Sequence, residues 1–296
     1  MPAARVSALP TWLALTGTLS EAGCRGLESV SRVVPGAQAA PHLPMTPCLL
    51  VVPCFNEEAR LDGDSFLEVA KPSELELLFV DDGSTDGTLH VLEELRAKAP
   101  DRVFVLPLPK NGGKGEAVRL GMLEGLRRGA SVVGFADADL ATPASELARL
   151  RDALVASDLS VVVGSRVMLM GTDIKRHLMR HLFGRGFATA AAIILDMPFY
   201  DTQCGAKYFR DTPALRAALA RPFHSRWAFD IELLGRIHIG TPGVKGIPET
   251  LFREVPLERW VGVGESKLNV REMARTLLEL PIIDRELRRL RKTRQG

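Results

Sequence analysis

Past residue 47 the chain alternates short, unbroken apolar runs with longer stretches whose apolar positions recur every three or four residues. The unbroken runs are Cys48 to Val52, Leu75 to Val80, Val103 to Pro107, Ser131 to Ala136 and Leu159 to Gly164. Runs of this length, without polar alternation, predict strands of a parallel sheet buried on both faces. Between them, Leu89, Leu92 and Leu95 share one helical face, as do Leu147, Leu150, Leu154 and Val155. A third stripe, Val118, Gly121, Met122, Gly125 and Leu126, follows the third run. Alternation of this kind predicts an α/β fold with a mostly parallel central sheet flanked by helices.

Residues 1–44 break the pattern, carrying Pro, Ala, Gly and Ser with little periodicity, and Met45 stands just before the first strong run. They are expected to form a poorly ordered extension. The folded domain is expected over 45–270, and a C-terminal helix with a basic tail over 271–296.

The chain has 296 residues, 46% hydrophobic and 25% charged, which is ordinary for a globular protein. Lys and Arg number 38 against 36 Asp and Glu, so no global field selects a partner. Cys24, Cys48, Cys54 and Cys204 show no paired ligand spacing and are too few for a disulfide scaffold, arguing against zinc and for a reducing compartment. A bilayer-spanning helix needs about 20 apolar residues, more than the stretch from Gly186 to Leu195 supplies. No span or signal peptide is expected, and the predicted location is cytoplasmic, with peripheral attachment to a membrane surface as an option. Lys175 to His181 sets basic residues beside that apolar stretch; an anionic membrane surface, a dimer interface and a plain core helix all suit it. The basic run Arg285 to Arg294 has no aromatic-basic recognition motif beside it, so no nucleic-acid partner is expected.

In sheets of this class ligands lie beyond the carboxyl ends of the strands, and here those ends carry chemistry. The first run leads into Pro53-Cys54-Phe55-Asn56-Glu57-Glu58, the second into Asp81-Asp82-Gly83-Ser84, and the fourth into Asp137-Ala138-Asp139. Ser84, Thr85 and Asp86 are good helix caps, but capping leaves Asp81 unexplained. Acids at a strand end can accept paired hydrogen bonds from a nucleotide's imide and ribose hydroxyls. Asp137 and Asp139 can converge on a divalent cation, and an oxygen pair suits Mg2+ or Mn2+; taken alone, a solvated turn would carry them equally well. The third run leads into Lys110-Asn111-Gly112-Gly113-Lys114-Gly115, where glycine amides and Lys114 could cradle a phosphate or simply form a turn. It is not a P-loop, because no Ser or Thr follows the lysine.

These motifs, in this order, resemble the GT-A nucleotide-diphospho-sugar transferase fold of family 2 glycosyltransferases. Asp201-Thr202-Gln203-Cys204-Gly205, Arg226-Trp227-Ala228-Phe229-Asp230-Ile231-Glu232 and Gly264-Glu265-Ser266-Lys267-Leu268 are similar to the polyprenyl- and dolichyl-phosphate sugar transferases within it, the glucosyl branch above all. The resemblance covers about Pro47 to Leu290. It implies that Pro53, Phe55 and Glu57 line a nucleoside pocket, with Asp82 reading base or ribose. It implies further that Asp137 and Asp139 hold Mg2+ or Mn2+ on the diphosphate, with Lys114 and Lys267 nearby, and that Arg166 meets an acceptor phosphate. Asp230 stands where sugar-accepting relatives keep a general base. The implied donor is a nucleotide sugar, UDP-glucose in particular, and the implied acceptor a polyprenyl or dolichyl phosphate. A soluble or polysaccharide acceptor, or a nucleotide-sugar-binding protein without activity, stays open. Two positions depart from the mannosyl relatives: Ala141 replaces a Gln, and Val261 an Arg for which Arg259 could substitute.

Overall fold

The computed structural model describes residues 47–71, 75–167, 173–174, 178–261 and 270–295. The extension expected over 1–44, most of the 175–181 basic stretch and Lys267 lie outside the described residues or have no described side chain. In chain order, β1 (Cys48–Cys54), α1 (Gly63–Val69), β2 (Leu75–Asp81), α2 (Thr88–Lys98), β3 (Val103–Pro107), α3 (Lys114–Arg127), β4 (Val132–Ala136), α4 (Ala144–Val155) and β5 (Val161–Ser165) form the alternating half. The chain continues through β6 (Asp173–Ile174), α5 (Leu178–Leu195), β7 (Ala206–Arg210), α6 (Pro213–Leu219) and α7 (Phe229–Ile239). It ends with β8 (Gly240–Thr241), β9 (Val244–Lys245), β10 (Phe252–Pro256), β11 (Arg259–Trp260) and α8 (Val270–Gln295).

Seven strands form the main sheet in the order β10-β5-β7-β4-β1-β2-β3. The expected runs all become strands, with ends displaced by a residue or two. β7 is the addition: it lies antiparallel between β4 and β5, so β4 and β5 are not neighbours. Its residues Ala206, Lys207, Tyr208 and Phe209 are buried although a lysine interrupts them, which is why the apolar pattern did not mark it.

Alternate residues of a strand serve opposite faces, and two cores result. Leu49, Val51, Val133, Phe135 and Phe209 pack with residues of α3, α6, α7 and α8. Leu50, Val52, Phe79, Ala136 and Tyr208 pack with residues of α1, α2 and α4. The predicted stripes sit against these cores, except that Leu89 lies 36% exposed at the rim of α2. The expected C-terminal helix is α8, whose Leu280, Ile283, Leu287 and Leu290 are buried in the first core. The Gly186 to Leu195 stretch is the second half of α5, with Ala191 and Leu195 buried and Ile193 exposed. Among the described residues no helix is long and apolar enough to cross a membrane.

Candidate active site

The carboxyl ends of β1, β2, β4 and β5 converge where the sheet order turns from β4 to β1. Beyond β4 the backbone turns sharply: the Leu140 N–H donates to the Asp137 carbonyl at 3.3 Å, and Leu140 takes φ 47°. That left-handed conformation costs an L-residue roughly 1–2 kcal/mol, so the turn presenting Asp137 and Asp139 is held by its surroundings. Asp139 Oδ1 accepts from the Ala141 N–H at 3.0 Å, and the Ala141 carbonyl accepts from the Val261 N–H at 3.0 Å. Asp137 lies against Gly205, where any Cβ would collide with its carboxylate.

Lys114, the first residue of α3, reaches back to Asp137, Nζ to Oδ1 2.5 Å. Burial disfavours its ammonium, but Asp137, Asp230 and Asp139 together overcome this and hold its pKa above the ordinary lysine range. Burial pushes the Asp139 carboxyl up, the Asp137 charge adds to the push, and the Ala141 amide and Lys114 oppose it; Glu57 adds a smaller push. Glu57 is buried and binds Arg60 through Oε2 at 2.7 Å, while its N–H donates to Thr88 Oγ1 at 2.7 Å.

The loop before α3 departs from the phosphate-cradle expectation. The Gly112 and Gly113 N–H groups do not point outward; they donate to Asp82 Oδ1 and Oδ2 at 2.7 and 2.8 Å. Asp82 is therefore a clasp between two loops, and Gly83 at φ +65° lets the backbone of Lys110 and Asn111 approach. Burial raises the Asp82 carboxyl, and the two amides and Arg226 oppose that. On β1 and just past it, Pro53 and Phe55 are half-buried, and Asn56 at φ 50° accepts the Thr85 N–H at 2.9 Å.

The floor of the site is a second lysine–aspartate pair. Lys207 of β7 is fully buried; its Nζ donates to Asp230 Oδ1 at 2.5 Å and to the Cys204 carbonyl at 2.6 Å, and stands 5.0 Å from the Phe135 ring centre. Burial pushes the Asp230 carboxyl up, against the pull of Lys207 and Lys114. Sequence reasoning passed over Lys207, and its one signal was a lysine inside an otherwise apolar tetrapeptide, a position that needs a buried partner.

Arg166, just past β5, is held by Asp201: Nε to Oδ2 2.7 Å, Nη2 to Oδ1 2.8 Å. Asp201 is fixed in turn, because its N–H and that of Tyr200 donate to the two Glu254 oxygens at 2.6 and 2.7 Å. Burial opposes the Arg166 cation, but Asp201 holds its pKa above the ordinary value; Asp137 adds to this field. Trp260 lies 5.6 Å from the guanidinium, ring centre to Cζ.

Thus Lys114, Asp137, Asp139 and Asp230 come together with Glu57 and Arg166 in their field, whereas Asp82 is set in the wall. The carboxylate pair fits a hard divalent ion: both donors are oxygen, and burial together with the Asp137 charge disfavours the ionised Asp139 that a bound cation would stabilise. Among the described residues no group of three or more His, Cys, Asp or Glu gathers as a metal cluster. Two carboxylates leave further coordination positions to ligands from outside the chain.

The model of glycosyl transferase family 2 matches residues 49–212. The dolichyl-phosphate beta-glucosyltransferase of Homo sapiens is 33% identical over 247 residues, 75% of this chain and 74% of that protein. The one from Dictyostelium discoideum is 34% identical over 201 residues, 62% of this chain; the chain thus spans 60% of that relative's length. The polyprenol monophosphomannose synthase of Mycolicibacterium smegmatis is 31% identical over 238 residues, 80% of this chain and 88% of that protein. In fold the chain is similar to glucosyl-3-phosphoglycerate synthase from Mycobacterium tuberculosis in complex with Mn2+, UDP and glucosyl-3-phosphoglycerate, at TM-score 0.58 and 18% identity, covering 83% of this chain and 86% of that one.

Proposed function

From a chain that belongs to glycosyl transferase family 2, we propose an enzyme that moves glucose, with inversion, from UDP-glucose to a polyprenyl or dolichyl phosphate at a membrane surface. The observation that carries this reading is the meeting of Lys114, Asp137 and Asp139 at the carboxyl ends of the strands, two carboxylates and one cation where a nucleotide diphosphate would lie. Asp137 and Asp139 would hold Mg2+ or Mn2+, which when bound stabilises charge on the departing nucleoside diphosphate. Lys114 stays protonated and adds a second positive charge at the same edge. Pro53, Phe55 and Glu57 would flank the nucleoside, with Asp82 holding the loop that shapes its pocket.

The floor supports the choice of acceptor class. An alcohol acceptor needs a general base, but one oxygen of Asp230 is bound by a lysine with no exposed surface. A phosphate monoester has a second pKa near ~6 and is already anionic at neutral pH. Arg166, with its planar donors oriented by Asp201, is suited to meet such a group. Asp230 then holds Lys207 in place and adds to the field on Lys114 without abstracting a proton.

Purified protein supplied with labelled UDP-glucose, Mn2+ and a short-chain prenyl phosphate should yield a butanol-extractable, acid-labile glucolipid. Label passing instead to a saccharide would overturn the lipid acceptor, and no transfer at all would favour a binding protein. A thermal-shift series over UDP-, GDP- and dTDP-sugars with Mn2+ tests the donor, since a ligand of the folded state raises its stability; the UDP sugar should give the largest shift.

A further inference from the structure

α8 has two faces that do different things. Leu280, Ile283, Leu287 and Leu290 recur at helical spacing and are buried. On the opposite side, Leu277, Leu278 and Ile282 are exposed at 45%, 76% and 46%. One to three turns further on, the same outward strip carries Arg285, Arg289 and Lys292, while Arg288 beside it is paired with Asp284, Nε to Oδ2 2.8 Å. The steps 278, 282, 285, 289 and 292 are four, three, four and three residues, so apolar and basic residues lie in line on one side over about 20 Å of helix. The strip is apolar toward its start and cationic toward its end.

The helix is also bolted to the site. Ser225 Oγ donates to Glu279 Oε2 at 2.5 Å and accepts from the Ala228 N–H at 2.7 Å, at the start of the helix that carries Asp230. Leu287 occupies the space a side chain at Gly235 would need. Near its far end, Arg291 Nη2 donates to the Ile194 carbonyl at 2.7 Å, and the neighbouring Ile193 is 72% exposed. α8 is thus fixed to α7, the helix that carries Asp230.

We infer that the outward face of α8 is the surface by which the protein rests on an anionic lipid bilayer, with Leu277, Leu278 and Ile282 entering the headgroup–acyl boundary and Arg285, Arg289 and Lys292 meeting lipid phosphates. A second copy fits the face poorly, since a parallel pair would set cations against cations and an antiparallel pair would set them against Leu278 and Ile282. A bilayer offers hydrocarbon and negative charge side by side, as the strip requires. The inference rests on the lipid-phosphate reading only for its purpose, because it names where the membrane supporting that acceptor would lie.

The test is flotation of the whole chain with phosphatidylcholine vesicles with and without 30% phosphatidylglycerol, alongside L278Q/I282Q and R285Q/R289Q. The protein should bind the anionic vesicles and lose binding as salt rises, because screening weakens the cationic half. Each double variant should bind at least about tenfold more weakly, while its melting temperature and its transfer to a water-soluble short-chain prenyl phosphate stay unchanged. Equal binding to neutral and anionic vesicles would overturn the inference, as would unaltered binding by both variants. So would a dimer in sedimentation that the variants dissociate, which would give the face to a second copy. Failure of all forms to transfer glucose would defeat the proposed reaction and leave the vesicle result standing.

Discussion

Two lysine–aspartate pairs stand close together, Lys114–Asp137 at the mouth of the site and Lys207–Asp230 at its floor, each with Nζ and oxygen 2.5 Å apart. Their geometry is alike and their surroundings are not. The mouth pair keeps 22% and 37% of its side-chain surface in contact with solvent, against 0% and 5% for the floor pair. A charge that has lost its water cannot easily exchange partners, whereas a part-solvated one can accept a new cation or anion. The same pairing therefore makes a fixed frame at the floor and an exchangeable contact at the mouth.

The contrast is sharpest when each lysine is removed. Lys207→Met leaves Asp230 buried without its cation and should lower unfolding free energy by about 3–5 kcal/mol in urea titration. Lys114→Met should cost about 1 kcal/mol or less, because solvent screens the exposed carboxylate. Equal losses would mean that the two pairs are not different in kind. Replacing both floor partners, as in Lys207→Met with Asp230→Leu, should recover much of the single loss, since a buried pair can be exchanged for apolar packing.

A smaller effect is expected from Gly205→Ala. Its methyl group would displace the Asp137 carboxylate without touching charge, and a misplaced ligand typically weakens metal affinity by about 10–100-fold. Mn2+ titration followed by electron paramagnetic resonance would read it; unchanged affinity would remove Asp137 from the metal site.

The smallest effect concerns pH. Burial and the Asp137 charge raise the Asp139 carboxyl, so without metal the folded chain holds this proton more tightly than the unfolded one. Stability should then fall as pH rises from the ordinary carboxylate value through the raised one. Mn2+ should reverse that fall, because it binds the ionised form. Melting temperatures across this range, with and without Mn2+, should converge at the acid end and separate above it, and Asp139→Asn should remove the separation.

Much of this was legible beforehand because it depends on local pattern. A short β-branched run such as Cys48 to Val52 fits a strand buried on both sides, and Asp137-Ala138-Asp139 at the end of another run fits the ligand edge of a parallel sheet. The Gly112–Gly113 loop was open to two readings, and both omitted Asp82, thirty residues away in sequence yet bonded to both amides. Arg166 and Asp201 belonged to separate motifs, and only the fold joins them, with Glu254 of β10 behind.

By itself the sequence determined the alternating elements, the two-sided burial of the sheet and the strand ends where the chemistry sits, since these follow from short unbroken apolar runs set between stretches of 3.6-residue period. It did not determine that β7 would run antiparallel between β4 and β5 and carry a buried lysine paired with Asp230. Nor did it say which side of α8 would face outward. Both outcomes were decided by tertiary packing, because the cost of burying a charge, or of leaving Leu278 in water, depends on what lies opposite it in space and not on its neighbours in the chain.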